Sequence, residues 1–183
     1  TIDPGGHSTE VCFADRDGAE TKNRFRHSFP VGALGIRDEY FESDAADPSA
    51  IFRASLAIDQ CLAAFPVPQL EPIAGTEVVV FGATATNLVS IRERLTTWDP
   101  EAVHGQRLTS EEVARAASWL LRMTDEERKA IVGIEPGRER SLPSGSLILE
   151  RILHALNQEA CTVSVRGWRH AALQLGALSD ESR

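Results

Sequence analysis

Residues 77–81 read Glu-Val-Val-Val-Phe, without the polar alternation of a strand that has one wet face. A continuous apolar run of this length fits a strand covered on both faces, which requires helices on either side of a sheet. Gly82 ends the run, and Leu88, Ile91 and Leu95 then recur at helical spacing. Upstream, Asp47-Pro48 reads as N-cap and first helical residue. Ile51, Ser55, Ile58, Leu62 and Phe65 follow as a stripe facing the sheet, and Pro66 and Pro68 end that helix. These elements predict an α/β fold with a mixed sheet.

The first 30 residues read as three short strands in an antiparallel meander. The first carries Asp3, the second spans 9–14, Asp15-Arg16-Asp17-Gly18 turns, and the third spans 22–29. Residues 96–108 read as loop. Thr109-x-x-Glu112 and Thr124-x-x-Glu127 are capping boxes, the first opening a helix with Val113, Ala116, Ala117, Leu120 and Leu121 on one face. Residues 133–143 read as loop. Ser144 then caps a helix carrying Ile148, Leu149, Ile152, Leu153 and Leu156, and 162–165 and 168–175 read as a last strand and helix. The expected order is β-β-β-α-β-α, a helical insertion, then α-β-α. Residues 1–178 are expected to form one domain, and 179–183 a flexible tail.

The 183 residues carry 19 basic against 27 acidic side chains, a net charge of −8. That balance argues against a general nucleic-acid binder. Cys12, Cys61 and Cys161 are far apart, with no CxxC pair and no metal spacing, and are expected to be reduced thiols of a cytoplasmic protein. No apolar run has membrane-spanning length, so no membrane partner is expected. The only methionine is Met123, and the chain opens on a strand. Both features are expected of the C-terminal part of something longer.

The chemistry concentrates in turns that suit anions. Asp3-Pro4-Gly5-Gly6-His7-Ser8-Thr9-Glu10 delivers an aspartate, two glycines and two hydroxyls. Glycines let backbone N–H groups surround an anion, the hydroxyls of Ser8 and Thr9 add donors, and Asp3 can hold a hydrated divalent metal. An ordinary tight turn is the competing reading. Phe81-Gly82-Ala83-Thr84-Ala85-Thr86 lies where the buried strand hands over to a helix, whose free N–H groups favour phosphate. Threonines that merely cap the helix are the alternative. Arg138, after Glu135-Pro136-Gly137, and Arg166 and Arg169, flanking Gly167, supply bidentate cations or a solvated face.

In this order the turns resemble the C-terminal half of the exopolyphosphatase/guanosine-pentaphosphate phosphatase (Ppx/GppA) family. Residues 3–10 resemble its D-x-G-G-G-S-T-E phosphate loop, 29–33 its F-P-L-G-A segment and 83–88 its G-T-A-T-x-L turn. Val103-His104-Gly105 and Pro136-Gly137-Arg138 are similar to its V-H-G and P-x-R signatures. Gly145–Leu149 and Ser164–Arg169 follow at matching spacing.

The resemblance implies an actin-like, ribonuclease H-like domain, the second of a two-domain enzyme. It implies hydrolysis of terminal phosphoanhydrides of inorganic polyphosphate or guanosine pentaphosphate with magnesium, in a cleft between the domains. Asp3 would hold the metal. Gly5, Gly6, His7, Ser8, Thr9, Ala83, Thr84, Arg138 and Arg166 would bind phosphate. The water-activating glutamate would lie in the first domain, so no catalytic base is expected in this chain. The isolated chain is then expected to fold without turnover, and a homodimer is left open.

The chain departs from the family pattern at His7 and Ala83, where glycines stand, at Arg140 and Val165, where aspartates are frequent, and at His170, where glutamate is. These departures motivate the alternative of a non-catalytic polyphosphate or nucleotide sensor. His7 is expected to sit in the loop with its ring either toward the phosphate, where falling pH would strengthen binding, or turned away onto the surface.

Overall fold

The computed structural model describes residues 1–17, 20–41, 45–63 and 76–174. The N-terminal segments form β1 (Ile2–Pro4), β2 (Thr9–Asp17) and β3 (Glu20–Phe29), paired antiparallel as a meander. Both long strands outrun their apolar cores, because pairing with each other holds polar residues 15–17 and 20–24 in the ladder. The β2–β3 turn at 18–19 lies outside the described residues, as do Phe65, Pro66, Pro68 and the tail from 175 onward.

Next come α1 (Ala33–Tyr40), α2 (Pro48–Ala63), β4 (Val79–Phe81), α3 (Ala83–Arg92), α4 (Pro100–Val103) and β5 (Arg107–Thr109). The chain continues through α5 (Ser110–Leu121), α6 (Asp125–Lys129), α7 (Leu142–Ala155), β6 (Ala160–Ser164) and α8 (Trp168–Gln174). The sheet order is β3-β2-β1-β4-β6-β5. Neighbouring β1, β4 and β6 run parallel, so their C-terminal ends share one edge. β4 is central, with Val80 fully buried, as its unbroken apolar sequence requires.

Asp47 caps α2 by accepting the N–H groups of Ser49 and Ala50 at 2.8 and 2.9 Å. The buried stripe of α2 is Ala50, Ala54, Ile58 and Leu62, one position off the expected Ile51–Ser55 line. Alanines let α2 approach α7, leaving Ile51 and Ser55 half-buried. Both capping boxes form as the spacing requires.

Three expectations are corrected. Residues 96–108 are not all loop: Asp99 caps α4, and β5 gains strand form by pairing with β6. Ser144 is not a cap, since α7 already begins at Leu142 with Pro143 in its first turn, where proline is tolerated. Helix α1 had no anticipated counterpart.

Helix α7 is buried nearly all round and contacts α1, α2, α3, α5 and β1. Arg151 of α7 forks onto Asp59 of α2, donating from Nε and Nη2 at 2.7 and 2.8 Å. Asp59→Ala removes both charge-assisted bonds and leaves Arg151 only its longer contact with Glu150 at 3.5 Å, and an expected loss of about 1.5 kcal/mol would be read by urea denaturation. Among the described residues no helix is long and apolar enough to cross a membrane.

Candidate functional site

Parallel strands leave a crevice beyond their carboxyl ends, where free backbone groups and helix N-termini converge. Here the ends of β1, β4 and β6 open onto a cleft of about 570 Å3. Asp3, Gly5, Gly6, Ala83, Thr84 and Arg138 all line it, so turns about 80 residues apart in the chain meet in one place. Val165, Gly167 and His170 close the β6 side.

The first loop is shaped by α1. The Gly5 N–H donates to the Ser8 carbonyl at 2.9 Å, and the carbonyls of Gly5 and Gly6 accept the N–H groups of Ala33 and Leu34 at 2.9 and 2.8 Å. Helix α1 thus satisfies its own free donors on the loop. A Cβ at Gly32 would strike the backbone of Gly6 and His7, so the helix start lies flush against the loop. Among the described residues none of the loop's backbone bonds uses the N–H of Gly6, His7 or Ser8. Of these three residues Gly6 lines the cleft.

Asp3 stands opposite Glu10 in the β1–β2 ladder, which puts both carboxylates on one face. Burial, with the Glu10 charge adding to it, pushes the Asp3 carboxyl above its ordinary value. Glu10 Oε1 accepts from the Ser8 and Ser28 hydroxyls, both at 2.7 Å, leaving Oε2 outside those bonds. Among the described residues there is no cluster of three or more potential metal ligands. An open pair of carboxylates still fits magnesium, which keeps several waters and binds one or two carboxylates.

At the second turn Gly82 has φ 94° and ψ 167°, a region only glycine occupies readily. A Cβ there would lie 2.6 Å from Asp3 Oδ1, so the β4–α3 turn and Asp3 are in close contact. No side chain caps α3, and its first-turn N–H groups begin at cleft residues Ala83 and Thr84. The Thr86 hydroxyl instead bonds back to the Gly82 and Ala83 carbonyls. Arg138 enters the cleft half-exposed, with Nε 3.8 Å from Glu135 Oε2.

Four residues expected to bind phosphate are placed elsewhere by their side chains. Thr9 is fully buried and donates to the Val31 carbonyl at 2.7 Å. The Ser8 hydroxyl donates to Glu10. The His7 side chain is exposed and outside the cleft lining, and its φ is not positive, so no glycine is required there. Arg166 is exposed and off the cleft, its backbone closed into a turn on the Ser164 hydroxyl. Arg140 pairs with Asp125 at 3.7 Å.

Glu10, Asn87 and His170 stand beside the site without a place among the expected phosphate or metal residues. Glu10 carried a signal, since it stands in the loop motif itself. Asn87 carried one too, as a poor helix former inside a helix. His170 Nδ1 accepts the Gly167 N–H at 3.3 Å, at the position where a capping-box glutamate would do so. The neutral ring then carries its proton on Nε2.

Residues 1–178 match the model of the Ppx/GppA phosphatase family. Exopolyphosphatase 2 of Mycobacterium tuberculosis is 24% identical over 161 residues, covering 87% of this chain and 48% of that protein. A bifunctional 3-dehydroquinate synthase/phosphatase of Fusobacterium nucleatum is 26% identical over 165 residues, 89% of this chain and 24% of that protein. The chain thus spans about half the length of the exopolyphosphatase relative. The solved PPX-GPPA enzyme of Aquifex aeolicus is 25% identical with a TM-score of 0.82, covering 94% of this chain and 55% of that one. A second structure of the Aquifex aeolicus family member superposes with a TM-score of 0.84. The fold is accordingly the actin-like, ribonuclease H-like domain.

Proposed function

The chain belongs to the Ppx/GppA phosphatase family, and on that premise we propose that it forms one wall of the active cleft of a phosphoanhydride hydrolase. The enzyme removes terminal phosphates from inorganic polyphosphate, guanosine pentaphosphate or both. The observation that carries this reading is the convergence of Asp3, the Gly5–Gly6 loop, the uncapped start of α3 and Arg138 on one cleft.

In this reading the Gly6 N–H group and the first turn of α3 hold phosphate oxygens without reorganising. Thr84 lines the same turn, and Arg138 meets a neighbouring phosphate of the chain. Asp3 and Glu10 would hold magnesium, which neutralises charge on the leaving phosphates when bound. The base that activates water belongs to the other half of the protein. His170 Nε2–H adds a donor at the β6 side.

Of the departures, His7 leaves the cleft clear and Ala83 adds only a methyl group, so neither blocks a phosphate, whereas Val165 and His170 line the β6 side and keep the sensor as the alternative. The test is phosphate release by the full-length protein from each substrate, with and without magnesium. Magnesium-dependent release is expected from the full-length protein and none from this chain alone, because half a clamp loses the positioning that phosphoryl transfer needs. Tight binding of polyphosphate by the full-length protein without any release would favour the sensor.

A further inference from the structure

Resting on the phosphate-binding reading of the cleft, we propose that Asn87 is the positioning residue of Arg138. Its buried amide fixes the turn that carries the guanidinium, and so sets where that cation meets a polyphosphate chain.

Asn87 lies in α3 and is fully buried. Its Nδ2 donates to the Ala83 carbonyl at 2.9 Å and to Glu135 Oε2 at 3.1 Å. Its Oδ1 accepts the Glu135 N–H at 2.8 Å. Both donors and the carbonyl of the amide are therefore engaged. One end of this tether is Ala83, in the uncapped turn of the cleft. The other is Glu135, 48 residues away, at the start of the turn that delivers Arg138.

That turn is built outward from Glu135. The Glu135 carbonyl accepts the Arg138 N–H at 3.0 Å, and the Arg138 carbonyl accepts the Leu142 N–H at 2.9 Å as α7 begins. The Glu135 carboxylate lies near the Arg138 guanidinium. The arginine side chain is itself half-exposed, so its backbone anchor determines its reach. Asparagine is a poor choice inside a helix. Its cost is offset here because the same amide spans two walls of the site, holding Arg138 at a set distance from the α3 N–H groups. A fixed cation loses less freedom on meeting its anion.

The test is tripolyphosphate binding by calorimetry in the full-length protein, for Asn87→Ala, Arg138→Gln and the double variant. Each single change is expected to weaken binding about tenfold, and the double about as much as either one, because both act through the same guanidinium. Glu135→Ala removes only the side-chain half of the tether, since the Glu135 N–H still donates to Asn87 Oδ1, and it is expected to weaken binding less than Asn87→Ala while leaving the fold intact. Losses that multiply in the double variant would overturn the positioning role. So would unchanged affinity in Asn87→Ala and Glu135→Ala with a lowered melting temperature, which would make the amide a structural brace only. If Arg138→Gln binds as the wild type does, the cleft's phosphate reading fails at Arg138 and the tether with it. A wild type that does not bind at all overturns the proposed function as a whole.

Discussion

Gly82→Ala is expected to reduce phosphate release by the full-length protein about 100-fold or more and to lower its thermal stability. Gly82 sits at φ 94° and ψ 167°, where a non-glycine residue costs about 1–3 kcal/mol. The added Cβ would also fall 2.6 Å from Asp3 Oδ1. Either the β4–α3 turn rebuilds or the carboxylate moves, and both displace groups that must stay aligned. A shift of about 1 Å in such a group is enough for a hundredfold loss. Wild-type turnover in this variant would place the reaction somewhere other than this cleft.

Asp3→Asn is expected to separate activity from stability. Turnover should fall about 100-fold or more, since the substitution removes one of the two carboxylates of the proposed magnesium pair. Stability at neutral pH should rise. The folded protein holds the Asp3 carboxyl above its ordinary value through burial and the neighbouring Glu10 charge. A raised carboxyl is bound to its proton more firmly in the folded state than in the unfolded one. Its stabilising contribution is therefore complete below the ordinary carboxylate range and is lost as pH rises through the raised value. Above that value ionised Asp3 is a net cost, which the amide removes. Melting curves from acid to neutral pH should thus converge at low pH and diverge at high pH, with the variant the more stable. If Asp3→Asn instead melts below the wild type at neutral pH, Asp3 is a structural anchor.

Local rules were enough for much of the fold. Asp47 and Thr109 cap their helices because the cap and the groups it satisfies lie within three residues. The apolar run before Gly82 is central, with Val78 and Val80 buried on one face and Val79 and Phe81 half-buried on the other. Glycines and an aspartate in the first loop, with a strand-to-helix turn downstream, were legible as anion chemistry for the same local reason. Packing decided elsewhere. Ala50 and Ala54, not Ile51 and Ser55, face the interior, since helix contacts favoured small side chains over the more apolar stripe. β5 is a strand only because β6 lies beside it, and α1 is held by carbonyls of a loop about 28 residues earlier.

The sequence alone determined most of the element types, the caps at Asp47, Thr109 and Thr124 and the residue chemistry of the site, because each depends on neighbours within a turn or a hairpin, but not α1, α4, β5 or the start of α7. Tertiary structure alone decided which hydroxyls face the cleft and which bond to backbone, as Thr9 does. It also paired Asp3 with Glu10, brought Gly82 against Asp3, and joined Asn87 to Glu135. Those outcomes depend on strand register and on the parallel order of β1, β4 and β6, long-range pairings that no short window of residues encodes.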